Sequence, residues 1–564
     1  MSDTTDDTDG TTDGETPPPP SKRHKYSVSD AQKVHISSPF KLLSTRDLPP
    51  SENVDTITLF DILSGPLISC TWQFNFLFDI PFIYSHFDPD TADACCIKIV
   101  HGFWKTEDPT RHTLYEEAER YKNVELIAAY LPDPFGTHHT KMMVVFRRDD
   151  TVQVVVHTAN MIEKDWGNMT NAAWLSPPLP FKIAASPATS EFEVDIMAYF
   201  AAYGRDRLKA LMEEVKKYDF SSVKVTFVAS VPGKFTTTST KRMWGIERMR
   251  DVLSQAPSTP DTPSSKDTII GQFSSIGSLG PKDTWLGPYF HSALSTTSSS
   301  TPSSRKPPLK LIFPTPSSIK NSLEGWFSGG SIHLRLSTPQ MQSQLEYMRP
   351  MLCDWHAVEA GRERAAPHIK TYMRLSEDEK SGVRVKWALL TSANLSKPAW
   401  GTPVAGRDPG FKIQSYEAGI LIHPAQYTSS NTVIVPTYKS DTVPEEVKER
   451  LVMEGVKEIV PLRMPWDWPL KKYEKADEPW TPGPARMEVD WRGMPWPGYG
   501  SKGQQDDVTF HAQALGACLE YRLNTLQRFL PRLLQTPSSK TQFLCIARDY
   551  FPETRFPLCG DMAT

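Results

Sequence analysis

The chain has 564 residues, enough for two or three domains, because single hydrophobic cores stop growing near ~250–300 residues. Its apolar and charged fractions are those of an ordinary globular protein, 49 prolines favour long loops, and a net charge of -4 points to no partner class. Without an apolar run of ~20 residues or a Cys-x-x-Cys pair among seven cysteines, neither a membrane span, a disulfide framework nor a structural zinc site is predicted.

The first 38 residues are predicted to be a disordered tail. Acidic residues, threonines and glycines precede Pro17–Pro20, and apolar side chains that could offset the entropy of ordering are few. The short basic cluster Ser21–Lys25 follows the prolines and reads either as a nuclear import signal or as a solvated linker. A nuclear location is therefore an expectation from this cluster and from the function inferred below.

The region after the tail shows both strand and helix patterns. Val124–Tyr130 is predicted to be a strand, and Lys141–Phe146 and Thr151–Thr158 are predicted to form a β-hairpin. Apolar residues recur at helical spacing over Glu193–Tyr218, which predicts one long helix. Strands mixed with long helices indicate an α/β or α+β chain.

Two low-complexity stretches, Ser254–Lys266 and Ser295–Pro308, interrupt the middle of the chain. Serine, threonine and proline at this density cannot build a core, so both are predicted to be exposed insertions. After them the earlier pattern recurs, with Lys370–Met373, a polar loop, and the strand Val385–Leu390.

One motif occurs twice and indicates an internal duplication. Each copy has a His-x-Lys tripeptide followed by an apolar strand that ends in Ala-Asn, and the two copies lie 229 residues apart (139 to 368). The copies comprise His139, Lys141 and Asn160, and His368, Lys370 and Asn394. Each half of the chain is therefore expected to supply half of a single site.

The residue types of this motif suit a phosphodiester. Residues i and i+2 of a strand share a face, so His-x-Lys places an imidazole beside an ammonium group. The lysine can neutralise phosphate oxygens, the histidine can attack phosphorus or move a proton, and the asparagine can donate its amide. Two histidines can then act as nucleophile and as general acid. No cluster of acidic residues, histidines or cysteines has metal-ligand spacing, so no metal or cofactor is predicted.

The motif segments resemble a known family. Gly136–Met143 with His157–Trp166, and Pro367–Arg374 with Leu389–Gly401, resemble the two catalytic motifs of tyrosyl-DNA phosphodiesterases of the topoisomerase-I-repair type, a branch of the phospholipase D superfamily. The similarity runs from about Pro39 to about Trp496. It also includes Ala229–Phe235, Phe273–Gly280, Ser322–Ser331 and Ser415–Ile422. The superfamily's usual aspartate after the lysine is absent, which is typical of this branch and disfavours a lipase.

The resemblance implies a fold of two similar α-β-α sandwich domains with mixed sheets, related by a pseudo-twofold axis. The boundaries are placed at 1–38 for the tail, 39–235 and 236–500 for the two domains, and 501–564 for an extension of unknown structure.

The resemblance further implies hydrolysis of the 3′-phosphotyrosyl bond between DNA and a stalled type I topoisomerase, leaving a 3′-phosphate. His139 is then the nucleophile, forming a phosphohistidine, while His368 protonates the departing tyrosine oxygen and later activates water. The side chains implied to hold the phosphoryl oxygens are Lys141, Lys370, Asn160 and Asn394.

Two further residues carry positioning roles in the resemblance. Glu417 matches a carboxylate that orients the nucleophile, although a surface strand acid is the alternative. The family commonly has a glutamine eleven residues after the first asparagine to orient the general acid, and Asn171 stands there instead. A shorter amide reaches that histidine through a water or not at all.

Substrate contacts are expected outside the motifs. Ser274, Ser275 and Ser278 are expected to contact DNA phosphates, and Phe135 either stacks on a base or belongs to the core. Tryptophans near the end of the chain either line a groove for the peptide or cover the C-terminal domain; they are Trp466, Trp468, Trp480, Trp491 and Trp496.

The implied partners are single-stranded or frayed 3′ ends of DNA and a topoisomerase-derived peptide, with no membrane, and the protein is expected to be a monomer. The alternatives are a general 3′-end nuclease, a phospholipase, and an inactive protein that binds DNA ends.

Overall fold

The computed structural model describes residues 37–498, except 184–188, 205, 237–242, 257–265, 299–305, 380–381 and 428–430. The predicted tail up to residue 36, the extension from residue 501 and the centres of both low-complexity stretches lie outside the described residues. Within them, no helix is long and apolar enough to span a bilayer.

The first half of the chain builds an eight-stranded mixed sheet. Its strands follow the spatial order β1-β8-β6-β5-β2-β3-β4, with β9 paired to β6. The strand bounds of this sheet are β1 Lys41–Leu42, β2 Ile68–Phe74, β3 Cys96–His101, β4 Val124–Ala128, β5 Met142–Arg147, β6 Thr151–His157, β8 Ala172–Leu175 and β9 Leu179–Pro180. A further strand, β7 Met169–Thr170, lies outside this sheet. The helices are α1 Leu59–Leu63, α2 Ile80–Tyr84, α3 Pro109–Ala118, α4 Glu163–Gly167, α5 Glu191–Ala201 and α6 Lys209–Val215.

The second half builds a nine-stranded sheet with the spatial order β10-β22-β19-β18-β12-β14-β16, extended by β23 on β19 and β24 on β23. The strand bounds of this sheet are β10 Thr226–Ser230, β12 Lys266–Gln272, β14 Leu309–Ile312, β16 Leu352–Cys353, β18 Thr371–Asp378, β19 Gly382–Thr391, β22 Glu417–Ile422, β23 Thr432–Thr437 and β24 Glu458–Arg463. The strands outside it are β11 Gly233–Thr236, β13 Ser275–Ile276, β15 His333–Leu334, β17 Ala366–Pro367, β20 Thr402–Val404 and β21 Gly410–Ile413. The helices are α7 Gly245–Gln255, α8 Ser292–Leu294, α9 Pro316–Lys320, α10 Pro339–Met348, α11 Lys397–Trp400 and α12 Glu445–Met453.

The two sheets share one topology. Along both seven-strand paths the first four pairings are antiparallel and the last two are parallel. Each strand of the first path therefore has a counterpart at the same place in the second, and β5 and β18 both follow a His-x-Lys tripeptide. The predicted duplication and the α/β fold of two similar halves with mixed sheets are confirmed.

Strand β10 bears on the predicted division at residue 235. It lies before that residue, yet it pairs in antiparallel register with β22, from Thr226 opposite Leu421 to Ser230 opposite Glu417. The second sheet therefore begins earlier in the chain than the predicted boundary.

The predicted strands around the first motif are confirmed. The hairpin of β5 and β6 and the strand β4 form as expected, and Asp150 in the hairpin turn has a φ of 59°. The predicted single helix Glu193–Tyr218 is wrong, because two helices occupy this region. The first begins earlier, where the Ser190 side chain accepts the backbone N–H of Glu193. Gly204, with a φ of 79°, lies between them, and this left-handed conformation cannot continue a right-handed helix.

The strands after the second motif are longer than predicted. The polar loop expected after Met373 is the second half of β18, which continues to Asp378 and pairs with β19 from Gly382 onward. Ser376 and Asp378 are buried despite their polarity, so composition misled the prediction here.

The tryptophans near the end of the chain mostly cover the second half. Trp466, Trp480 and Trp496 are buried. The Trp480 ring stacks on Trp326 with centroids 5.5 Å apart and meets Trp496 edge-on at 5.7 Å. Its Nε1–H donates to the carbonyl of Gly329 at 2.9 Å. For these three residues, the covering alternative describes the structure.

Replacing Trp480 with alanine should therefore lower the free energy of unfolding by about 3–5 kcal/mol, since large-to-small changes of buried aromatic residues cost this much. The denaturant midpoint measured by tryptophan fluorescence and circular dichroism would report the loss. Trp104→Ala is the matched control, because Trp104 is 45% exposed and should change stability by less than about 1 kcal/mol. Equal losses in both variants would contradict the assigned packing of Trp480.

Candidate active site

Each His-x-Lys tripeptide is held against the other half of the chain by backbone hydrogen bonds. The His139 N–H donates to the carbonyl of Tyr416 at 3.0 Å, and the His368 N–H donates to that of Thr170 at 3.0 Å. Both acceptors come directly before a residue that faces the site, Glu417 and Asn171 respectively. The duplicated topology therefore brings the two motifs together where the two halves meet.

His139 is paired with a carboxylate from the second half. Its Nδ1 lies 2.9 Å from Oε2 of Glu417, and because a carboxylate can only accept, Nδ1 carries the hydrogen. The Ser392 hydroxyl donates to the same oxygen at 2.5 Å. The His139 side chain stays 16% exposed, whereas that of Glu417 is 5% exposed. Glu417 is thus placed where the resemblance implies, and Nε2 of His139 keeps a lone pair.

Burial lowers the pKa of His139 below its ordinary value, and the charge of Glu417 opposes that change. The imidazole is consequently neutral near pH 7, which is the form that can act as a nucleophile.

His368 is paired in the reverse direction, with residues of the first half. Its Nδ1 lies 3.1 Å from Oδ1 of Asn171, so the expectation that this shorter amide would not reach directly is wrong. The amide is fixed on both sides: Oδ1 accepts from the Thr158 hydroxyl at 2.8 Å, and Nδ2 donates to the carbonyl of Asp165 at 2.8 Å.

The supports of the two histidines are structural counterparts. Thr158 and Ser392 each stand two residues before the motif asparagine. Each hydroxyl donates to the group that contacts the histidine and accepts the next backbone N–H of the neighbouring strand, from Ala172 at 3.1 Å and Ala418 at 3.0 Å. One half places an amide at this position and the other a carboxylate.

Sequence reasoning missed Asp165. Its side chain is fully buried, with Oδ2 at 3.3 Å from Nδ1 of His368 and at 2.7 Å from the backbone nitrogen of Asn160. Asp165 lies in one of the motif segments, but no spacing rule links it to a histidine 203 residues further on (165 to 368).

Both motif lysines are fully buried. The Nζ of Lys141 lies 3.4 Å from the carbonyl oxygen of its own motif histidine, and Lys370 donates to the equivalent carbonyl. Burial lowers the pKa of Lys141 to about 8. Burial first, and then the charge of Lys141, hold the pKa of Lys370 well below its ordinary value. Two crowded ammonium groups of this kind would be stabilised by an anion between them.

The two asparagines differ in their surroundings. Oδ1 of Asn394 accepts the backbone N–H groups of Ser274 and Ser275 at 3.1 and 3.0 Å, so its Nδ2 is the atom of this amide that can donate to a phosphoryl oxygen. Asn160 is held instead through its backbone nitrogen by Asp165.

The serines expected to contact DNA are not equivalent. Ser274 is buried, and the backbone amides of Ser274 and Ser275 serve Asn394, so these residues position an asparagine. Ser278 is exposed, as a DNA contact requires. Phe135 is 83% exposed, which rules out the core alternative for it.

Two aromatic or imidazole neighbours complete the surroundings of His139. The ring of Phe76, which sequence reasoning missed, lies 5.6 Å from the His139 ring and 5.9 Å from Nζ of Lys141. His138 is buried, bonded through Nδ1 to the Asn75 carbonyl and through Nε2 to the Tyr203 hydroxyl. Its burial lowers its pKa to about 3, so it belongs to the framework.

The arrangement can carry out a displacement at phosphorus, with one neutral imidazole to attack, a second imidazole to move the proton, and two lysines to stabilise oxyanions. Among the described residues, no group of three or more histidines, cysteines, aspartates and glutamates could hold a metal ion.

Comparison with known proteins gives consistent matches. The sequence model of the tyrosyl-DNA phosphodiesterase family matches residues 39–474. The chain is 33% identical over 548 residues to a probable tyrosyl-DNA phosphodiesterase of Schizosaccharomyces pombe, covering 85% of this chain and 98% of that protein. It is 31% identical over 464 residues to tyrosyl-DNA phosphodiesterase 1 of Drosophila melanogaster, covering 80% and 74%. The crystal structure of the yeast tyrosyl-DNA phosphodiesterase shares the fold with a TM-score of 0.58 at 22% identity, covering 78% of this chain and 98% of that one.

The lowered pKa of Lys141 predicts how anion binding depends on pH. The ammonium form is present below a pKa of about 8 and is lost above it, so affinity for tungstate should fall at least about fivefold between pH 7.5 and 9.5. Tungstate keeps the same charge over this range, and titration calorimetry measures the affinity. Lys141→Met should bind more weakly at pH 7.5 and show a smaller change with pH. An affinity of the unaltered protein that is constant up to pH 9.5 would contradict the assignment.

Proposed function

The chain belongs to the tyrosyl-DNA phosphodiesterase family, and on this premise we propose that it hydrolyses the 3′-phosphotyrosyl bond between DNA and a stalled type I topoisomerase. The observation that carries the proposal is the reciprocal pairing of the two motif histidines. His139 is held by Glu417 of the second half at 2.9 Å, and His368 by Asn171 of the first at 3.1 Å. Two imidazoles held from different elements can act from the two sides of one phosphorus atom.

In the first step Nε2 of His139 attacks phosphorus, and the bond from phosphorus to the tyrosine oxygen breaks. His368 gives its proton to that oxygen, so tyrosine leaves as a neutral phenol and the 3′ end of DNA is joined to His139. The attacking imidazole becomes positively charged, and the carboxylate of Glu417 at its Nδ1 stabilises that charge. Lys141 and Lys370 neutralise the non-bridging oxygens.

In the second step water attacks phosphorus while His368 accepts its proton, and the bond from phosphorus to nitrogen breaks. The products are a 3′-phosphate and free His139, and His368 is again protonated for the next cycle. Asn394 can donate from its Nδ2 to a phosphoryl oxygen, since its Oδ1 is occupied by two backbone N–H groups. The proposed reaction needs neither a metal nor a cofactor.

The proposal extends to the substrate and the setting of the reaction. The preferred substrates are single-stranded or frayed 3′ ends, with the exposed ring of Phe135 stacking on a base and Ser278 at the backbone. Other 3′-blocking groups are candidate substrates, and in that sense the protein acts as a 3′ exonuclease. We place the protein in the nucleus, on the basis of the Ser21–Lys25 cluster, as a monomer acting in DNA repair.

An oligonucleotide with a 3′-phosphotyrosine, incubated with the protein in EDTA, should be converted to the 3′-phosphate. His139→Ala should lower the rate at least about 10³-fold, because the attacking atom is lost. Gel electrophoresis with a 5′ label separates substrate from product. His138→Gln is the neighbouring control, since His138 lies outside the mechanism, and it should keep most of the activity if the protein folds. No conversion by the unaltered protein, or conversion unaffected by His139→Ala, would contradict the proposal.

The unequal roles of the two histidines give a separate prediction. His368→Ala should slow release of tyrosine by about 10²–10⁴-fold and slow the hydrolysis that follows, so a covalent DNA–protein adduct should accumulate. Denaturing gels with labelled oligonucleotide detect the adduct. The double variant His139→Ala/His368→Ala should form none. An adduct that persists after His139→Ala alone would reverse the roles of the two histidines.

A further inference from the structure

Asp165 occupies a position that the proposed reaction does not yet use. It lies on the short helix α4, with a fully buried side chain, inside the half of the chain that faces His368. Its Oδ2 is 3.3 Å from Nδ1 of His368, and the Asn171 oxygen is 3.1 Å from the same nitrogen, so two oxygens approach one ring nitrogen. The general acid is therefore in contact with a carboxylate as well as with an amide.

We propose that Asp165 is a positioning residue whose carboxylate keeps His368 in the protonated form needed to expel tyrosine. This inference rests on the proposed function. An amide oxygen fixes the ring but adds no charge, whereas a carboxylate at the same nitrogen favours the imidazolium form. Asn171 thus orients the ring of His368 and Asp165 favours its charged form, whereas Glu417 has both roles for His139.

The charges around His368 make this contribution necessary. Lys370 lies two residues away on the same segment, and Lys141 is close enough for its charge to act on Lys370. Both ammonium groups disfavour a third positive charge. Glu417 also acts on the two lysines, but it is bonded to His139, whereas Asp165 is in contact with His368.

Asp165 also has a structural contact, so the test must separate the two roles. Its Oδ2 accepts the backbone N–H of Asn160 at 2.7 Å and closes the turn after the first motif strand. Asp165→Asn keeps an oxygen that can accept this hydrogen bond and removes the charge. If Asp165 had only a structural role, the Asp165→Asn variant would either keep full activity or lose the same fraction of activity with every substrate and at every pH.

The experiment measures single-turnover release of the leaving group from two oligonucleotides, one with a 3′-phosphotyrosine and one with a 3′-(4-nitrophenyl) phosphodiester, between pH 5.5 and 9. Nitrophenolate leaves without a proton, so its release does not depend on a general acid. Asp165→Asn should move the alkaline limb of the tyrosine profile down by about one pH unit or more. The rate at pH 8 should then fall about tenfold, while release of nitrophenolate should stay within about twofold of the unaltered protein.

Asp195→Asn is the matched control, because Asp195 is another buried carboxylate of the first half, paired with Arg248 at 2.7 Å. It should leave both pH profiles in place. If the Asp165→Asn protein does not fold by circular dichroism, Asp165→Ser, whose hydroxyl can accept the Asn160 N–H, should give the same pattern.

An unshifted tyrosine profile, or equal losses on both oligonucleotides, would overturn the role of Asp165 while the unaltered protein still releases tyrosine. Failure of the unaltered protein on both oligonucleotides would instead overturn the proposed function and this inference with it.

Discussion

The site depends on one reciprocal exchange: each half of the chain supplies the histidine that the other half orients. The Nδ1 atom of each histidine contacts a side chain of the opposite half. Two backbone hydrogen bonds, from His139 to Tyr416 and from His368 to Thr170, hold the backbone of each motif in place. Neither half could hold its own histidine in this way, because the orienting residue of each begins or precedes a strand of the other sheet. The shared topology of the two sheets, which the internal duplication explains, makes the arrangement reciprocal.

A second consequence of this arrangement is an unusual concentration of charge. Lys141 and Lys370 are buried together, and burial lowers the pKa of both. Glu417 and Asp165 partly offset the cost, since their charges raise the pKa values that burial lowers. An anion such as a phosphodiester would stabilise the ammonium form of both lysines.

The sequence predicted the chemistry better than the supporting contacts. The motif residues could be predicted because the motif occurs twice in the sequence. The strands around them could be predicted because their runs of apolar and β-branched residues are typical of buried strands. The hydrogen bond from the Thr158 hydroxyl to Asn171 could not be predicted from the sequence, because it depends on the register in which β6 pairs with β8. Ser274 and Ser275 have a second role that the resemblance did not indicate, since their backbone amides bind Asn394. The single helix predicted over 193–218 is wrong because the helical spacing of apolar residues continues past Gly204. The left-handed φ of that glycine ends the helix, and apolar spacing does not indicate it.

The proposed reaction gives the two histidines different charges, and the difference between Glu417 and Asn171 fits those roles. In that reaction His139 gains a positive charge when it attacks phosphorus, so a carboxylate at its Nδ1 stabilises the product of that step. In the proposed reaction His368 has to give its proton away and take it back. The proposed division of roles uses an amide at 3.1 Å to orient the ring and a carboxylate at 3.3 Å to favour its charged form. The two halves thus differ at the group that contacts Nδ1 of each histidine, where the proposed chemical roles of the histidines also differ.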